Sequence, residues 1–513
     1  VTFTEKLLAG TWIVTLVWVP FVIFTNRKVH PQGLFFLFFA ELWERFSFYG
    51  MRALLVLYMT QQLMYADDAA YGVYAAYGAL VYLTPVAGGI LADRIIGYRK
   101  AIMIGAVLMS AGHFAMAIEQ PFFFYGALAL LICGNGFFKP NISSLVGKLY
   151  PDGDARRDAG FTLFYMGINV GAALSSITCG YLGEKVGWHW GFGLAGVGML
   201  IGLVVFWWSQ KNPETYGEHG FPPEPEMLER PVVGPLKPMP LIYLGSLLSL
   251  GLFALLVIQN QVMSVLLGIV GGGILLSVFL QSLREEKEQR ERLWVVLILA
   301  FFTTLFWAFF EQAGSSMSLF TDRNVDRMIM GDELPTSAFQ SLNPGYIIFL
   351  APAFSWLWTF LGRRGLEPNT PVKFGLGILQ LALGFFALVA GASAAEDPSK
   401  VGVLWLCLAY LLHTTGELSL SPVGLSMVTK LSPKRMVGLI MGVWFLSSSF
   451  AHNVGGIIAA LTANPGEGGE VDAAKGLQIY SDVFSSIGWV ALGAAVIVFA
   501  LSPLLKKWMH GIR

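Results

Sequence analysis

Long apolar runs separated by short polar joints occupy almost the whole chain. They lie near residues 34–63, 70–92, 101–118, 122–149, 159–182 and 189–209, then 240–258 and 261–283, then 294–320, 342–361, 372–391, 401–429, 436–462 and 480–505. A helix needs roughly 20 apolar residues to cross a hydrocarbon layer about 30 Å thick, and these runs are of that order. A further run at 7–25, rich in Trp, Val and Phe, has no small-x-small cleavage site after it, so it reads as an accessory helix rather than a signal segment. The pattern predicts an all-α membrane protein: two six-helix bundles, a two-helix insertion between them and an extra N-terminal helix. The joints set the boundaries. The accessory helix takes 1–30, the first bundle 31–210, a Pro- and Glu-rich linker 211–239, the inserted pair 240–285 and the second bundle 286–513.

Composition supports this class. Hydrophobic residues make up 55% and charged residues 13% of the 513, whereas a soluble domain carries about 25% charged residues. Basic residues fall on alternate joints: Arg27/Lys28, Arg94/Arg99/Lys100, Lys148/Arg156/Arg157, Lys211, residues 284–292, Arg363/Arg364/Lys373, Lys430/Lys434/Arg435 and Lys506/Lys507. The joints between them carry Asp67/Asp68, Glu119, Asp332/Glu333, Glu396/Asp397 and Glu467/Glu470, with Lys185 and Arg323/Arg327 as exceptions. This bias places both ends of each six-span block in the cytoplasm. The net charge is zero and there is no basic tail, so nucleic acid is not an expected partner. Cys133, Cys179 and Cys407 all lie in apolar runs, which suits inert core thiols better than a disulfide framework.

The chemistry sits where charges interrupt the apolar pattern. Residues 41–52 (ELWERFSFYGMR) put Glu41, Glu44, Arg45 and Arg52 on one helix face with Phe48. A charge at mid-bilayer costs about 2.5–3.5 kcal/mol on insertion scales, so this face must turn towards partner charges or a water-filled cavity. Two acids beside two bases also form a group whose protonation responds to its surroundings. The plainer alternative is a static ion-pair staple. Lys139, in GNGFFKPN, lies too deep to snorkel and needs a carboxylate; Glu311, in the seventh span, is the best candidate in the other half. The amides Asn169 and Asn343 either orient a polar ligand or bond neighbouring helices. His413 and Glu417, four residues apart, lack the third ligand a metal would need, so no metal site is expected, and Glu417 reads as an anionic partner for a substrate amine. Tyr49, Tyr82, Tyr165 and Trp444 offer aromatic walls with polar tips.

Two resemblances attach to these residues. Gly88–Lys100 (GGILADRIIGYRK) resembles the loop signature of the major facilitator superfamily, and Gly362-Arg363-Arg364 with Lys373 echoes it in the second block. ELWERFSFYG is similar to the E-x-x-E-R-F-x-Y-Y-G signature of the proton-dependent oligopeptide transporters, a bacterial-rich branch of that superfamily. GNGFFKPN, FTLFYMGINVG, Glu311-Gln312 and GELSLSPVGLS resemble further motifs of the same family.

The resemblance implies symport of di- and tripeptides with protons across the bacterial cytoplasmic (inner) membrane by alternating access, the peptide clamped between the bundles. It implies a proton-coupling group of Glu41, Glu44, Arg45 and Glu311, and an inter-bundle salt bridge of Lys139 and Glu311 with Arg52 nearby. Arg45 and Lys139 would attract the peptide carboxylate, and Asn169, Asn343 and Glu417 its ammonium. Tyr49, Tyr82, Tyr165, Ser421 and Trp444 would complete the peptide-binding walls. No cofactor beyond the proton is implied, lipids are the surroundings, and a monomer is expected. Phe48 departs from the family pattern, which has Tyr at its position and therefore one more hydroxyl.

Other classes compete. A transporter of the same fold for nitrate, a drug or a peptide-like compound would share most of these features, because fold does not fix substrate. An intramembrane enzyme at His413/Glu417 would need a fuller catalytic set. A sensor would bind peptide without moving it. ATP-driven pumping would need a G-x-x-x-x-G-K-[ST] loop, which the chain lacks.

Overall fold

The computed structural model describes all residues except Val1, Asp152, Val233, Lys434, 464–471 and Arg513, and all side chains in those but 421–426 and 429. The apolar runs appear as helices: α1 (Phe3–Asn26), α2 (Gln32–Gln61), α3 (Asp67–Leu91), α4 (Tyr98–Met116), α5 (Pro121–Lys148), α6 (Arg157–Tyr181), α7 (Trp188–Ser209), α8 (Pro238–Ile258) and α9 (Asn260–Ser282). They continue as α10 (Lys287–Phe310), α11 (Ser316–Asn324), α12 (Leu342–Arg363), α13 (Thr370–Ser393), α14 (Val403–Leu431), α15 (Val437–Ala460) and α16 (Ala473–Trp508). Among the described residues, 13 helical segments are long and apolar enough to cross a membrane. The two expected spans outside that set are α2, with its four charges, and α4, which opens on Arg99 and Lys100.

The run read as one span at 294–320 is two helices. Glu311–Gly314 forms a turn of 3-10 helix between α10 and α11, and Ser315 leaves helical geometry at φ −124°, ψ −101°. The short side chains of Ala313, Gly314 and Ser315 permit the break. Gln312 fills it: its Nε2 donates to the carbonyls of Ala308 and Gly455, both at 2.9 Å, and its Oε1 accepts from Ser316 at 2.6 Å.

The helices fall into two compact units. The first holds Val1–Tyr58, Leu80–Gln259 and Met328–Pro344; the second holds Met59–Ala79, Asn260–Arg327 and Gly345–Arg513. In the first, α4 packs on α5 and α7, α5 on α8, and α6 on the short turn Thr336–Ser341. Small residues allow this closeness: a Cβ on Gly88 would collide with the backbone carbonyl of Gly136 in α5. Thr84 seals the same contact by donating to the Ile132 carbonyl at 3.0 Å.

Two matching turns close helices in this unit. After α3, Ala92–Ile96 widens into a π-turn, ended by the Gly97 N–H bonding Ala92 O at 3.0 Å; after α6, Leu182–Val186 does the same, ended by Gly187 on Leu182 O at 2.8 Å. Gly97 has φ +77°, a conformation that favours glycine. Each turn carries an acid–base pair, Asp93-Arg94 or Glu184-Lys185, so the loop signature is repeated within the first block. The linker is fastened here as well. Arg99 donates to the carbonyls of His219 at 2.8 Å and Gly217 at 2.6 Å, with its guanidinium 4.1 Å above the Phe221 ring.

In the second unit α13 packs on α14 and α16, α10 on α15, and α9 on α10 and α15. Two residues of parallel β-structure, Val325–Asp326 with Val401–Gly402, join the end of α11 to the start of α14.

Candidate functional site

The charged face of α2 forms one buried network with α5. Arg45 binds the carboxylate of its neighbour Glu44 through Nε and Nη2, and its Nε lies 3.6 Å from Glu41 Oε1. Lys139 reaches across from α5 to donate to the same Oε1. Glu41 and Glu44 are fully buried. The Ser47 hydroxyl donates to the Glu44 backbone carbonyl at 2.8 Å. Two carboxylates, a guanidinium and an ammonium sum to zero charge, which is how a helix this deep tolerates them. The side chain of Lys139 is 29% exposed, so the network opens to solvent on that side only among its members.

One atom stands apart. Glu41 Oε2 is buried and has no hydrogen-bond partner among the described residues. One of its oxygens thus serves two cations while the other stays uncommitted.

Aromatic rings frame the guanidinium. Phe48 lies 4.7 Å and Tyr49 5.8 Å from the Arg45 guanidinium carbon, and Arg52, two turns on, lies 5.7 Å from the Tyr49 ring. Phe at position 48 thus keeps the cation–π contact that a tyrosine would make while offering no hydroxyl. Asn169 is buried in α6, its amide donating to the Tyr165 carbonyl at 3.2 Å. Tyr82 is half-buried, whereas Tyr165 is 54% exposed. Asn343, half-buried, stands in the first turn of α12 within the first unit.

The remaining expected residues lie in the second unit. Glu311 is buried at the start of the 3-10 turn that interrupts the seventh span. Glu417 and Trp444 are half-buried on α14 and α15, and Ser421 lies outside the described side chains. His413, one turn before Glu417, is packed between the rings of Phe385 and Phe310 at 4.8 and 6.4 Å and against Gly384, as a core residue would be. Across the bundles the sequence predicts Glu311 as the partner of Lys139; within its own unit Lys139 meets Glu41.

Three carboxylates have partners that the sequence does not reveal. Glu184 accepts from Thr336 N at 2.7 Å and Ser337 N at 2.8 Å, capping the Thr336–Ser341 turn. Asp332 accepts from Thr4 N at 2.8 Å and Thr4 Oγ1 at 2.5 Å, tying α1 to the loop before that turn. Asp67 holds Arg323 in a bidentate pair at 2.6 and 2.9 Å. The available signal was the set of basic exceptions to the charge alternation: Arg323 has Asp67, and Arg327 has Asp322 at 3.7 Å.

Residues 99–474 match the family described as PTR2, POT family. The peptide transporter YePEPT of Yersinia enterocolitica subsp. palearctica is 36% identical over 509 residues, covering 93% of this chain and 95% of that protein. The dipeptide and tripeptide permease B of Aliivibrio fischeri is 32% identical over 484 residues, covering 93% and 95%. A crystal structure of a peptide transporter POT in complex with sulfate, 36% identical, superposes with TM-score 0.80 over 94% of this chain and 96% of that one.

Proposed function

The chain belongs to the POT family of multi-pass membrane peptide transporters, and from that footing we propose that it carries di- and tripeptides together with protons across the bacterial inner membrane by alternating access. It is a transporter rather than an enzyme.

The observation that carries the proton coupling is the buried Glu41–Glu44–Arg45–Lys139 network with Glu41 Oε2 uncommitted. A proton taken up at Oε2 frees the Lys139 ammonium. Arg45 and Lys139 then attract a peptide carboxylate, and peptide binding in turn alters which acid each base serves. Glu311, at the break between α10 and α11, is the second proton carrier and the alternative partner for Lys139. Asn169, Asn343 and Glu417 take the peptide ammonium, and Tyr49, Tyr82, Tyr165 and Trp444 contact its side chains. Recognition of both charged ends of a short zwitterion leaves the side chains between them weakly read, so many sequences are accepted.

The test is uptake of labelled dialanine into liposomes holding the protein, with and without an inward proton gradient. The expected result is gradient-stimulated uptake, competed by di- and tripeptides but not by free amino acids or nitrate. Glu41→Gln and Glu311→Gln are expected to keep peptide exchange while losing the stimulation. Full stimulation in both variants would remove the coupling role, and nitrate counterflow without dipeptide flux would replace the substrate.

A further inference from the structure

The first unit contains a cavity of about 290 Å³ away from the charged network, where the start of α2, the end of α7 and the linker meet. Gln32, Phe36, Trp208, Ser209, Lys211, Asn212 and Thr215 line it, the Ser209 hydroxyl being bonded to the Phe206 carbonyl and to Tyr216. We propose that this cavity holds the phosphate headgroup of an anionic phospholipid of the cytoplasmic leaflet.

Its lining supplies hydrogen-bond donors and a cation. Gln32 opens α2 and lines the cavity, and among the described residues no acceptor meets its backbone N–H. Thr215 is 4% exposed, yet its hydroxyl bonds nothing among the described residues; it lines the cavity. Lys211 adds an ammonium at the rim, and none of the lining residues is acidic. The asparagine is already committed, since its side chain accepts from Glu214 N at 3.0 Å. A free amide at the N-terminus of a 30-residue helix, an unpartnered hydroxyl on a buried residue and a cation together suit an oxyanion.

The apolar wall distinguishes a lipid from a free anion. Phe36 and Trp208 meet edge to face at 5.7 Å, and Trp207 and Trp208 are both more than half exposed at the end of a membrane helix. Lys211 sits 4.1 Å above the Trp207 ring. An exposed Trp pair with a snorkelling lysine is the arrangement of a membrane–water interface, and the loop charges put this end in the cytoplasm. A headgroup in the cavity would let its acyl chains run along Trp208 and Phe36. Inorganic phosphate shares the oxyanion chemistry but gains nothing from that wall.

Purified protein exchanged into phosphatidylcholine, with or without phosphatidylglycerol, tests this by native mass spectrometry. The expected spectrum shows one retained phosphatidylglycerol per chain and no retained phosphatidylcholine. Lys211→Gln, a change at an exposed side chain, should lower retention about fivefold, the loss of one basic contact near an anionic surface. Lys148→Gln, an equal charge change at the end of α5, should not. Equal loss in both variants, equal retention of phosphatidylcholine, or no retained lipid would overturn the proposal. Displacement of the lipid by inorganic phosphate at concentrations where chloride has no effect would also overturn it, by showing a site for free anions.

Discussion

Arg323 shows what a charge requires once it leaves water. Its guanidinium spans both oxygens of Asp67, with side chains only 17% and 8% exposed. Removing one partner strands the other, which is worse than removing both. Asp67→Leu or Arg323→Met alone is expected to lower stability by about 2–4 kcal/mol, a little under the range for fully buried pairs because Arg323 keeps some solvent. The double replacement should recover most of that loss, and thermal unfolding of the four proteins in detergent reads the difference. A double variant as unstable as the sum of the singles would show that the two side chains act apart. Glu41 poses the same problem with a different answer. Two cations share one of its oxygens, and the other has no hydrogen-bond partner among the described residues, whereas Asp67 commits both of its oxygens to Arg323.

Helix α1 is an element added to the first unit, and its attachments are few enough to name. Asp332 holds its first turn, where the Tyr181 hydroxyl also donates to Glu5 Oε1 at 3.4 Å, Trp12 Nε1 donates to Thr178 Oγ1 at 3.0 Å, and beyond its end His30 meets the Tyr150 hydroxyl at 2.9 Å. Most of the remaining surface is apolar and exposed, including Ile13, Leu16, Val17 and Phe21, as suits lipid contact. The hydroxyl and amide of Thr4 hold the Asp332 carboxyl below its ordinary range. A depressed carboxyl favours the attached state above the ordinary value of about 3.9 and ceases to do so as pH falls through its lowered value. Between neutral pH and about pH 5, therefore, this attachment should not change. In stronger acid, or at neutral pH in Asp332→Ala, amide exchange over Thr4–Gly10 should quicken when corrected for intrinsic rates. Unchanged exchange in Asp332→Ala would place the anchoring of α1 at Trp12 and His30 instead. Burial and the Arg156 charge lower the His30 imidazole below its ordinary value, which moves its titration away from neutrality.

Across the whole molecule, the charge alternation makes a topological prediction. With Cys133, Cys179 and Cys407 replaced, single cysteines at Lys28, Lys100, Lys211 and Arg284 should react with a membrane-impermeant maleimide only after permeabilisation. Cysteines at Glu119, Gly331 and Glu396 should react in intact cells. Reaction of Lys28 and Lys211 on opposite sides would break the assignment of both block ends to the cytoplasm. That prediction rests on sequence, and the structure accounts for two of its three exceptions by giving Arg323 and Arg327 their own carboxylates.

The number and positions of the spans could be read directly from the chain, because each membrane helix satisfies its backbone internally and must be apolar along its own length. The charged face at 41–52 was equally plain, since four ionisable groups in an apolar run cannot be lipid-facing. The interruption at Glu311 was not: runs of small residues allow a break without requiring one, and it is Gln312, bonding Gly455 on another helix, that fills it. The carboxylate serving Lys139 was equally hidden. It lies 98 residues away, and charge alone ranks Glu41 and Glu311 alike. The ties at Asp332 and Glu184 and the donor-lined cavity at Thr215 belong to the same class. Local pattern dictates what a segment must avoid, whereas the partner of a buried polar atom depends on which distant backbone comes within 3 Å, and only packing sets that.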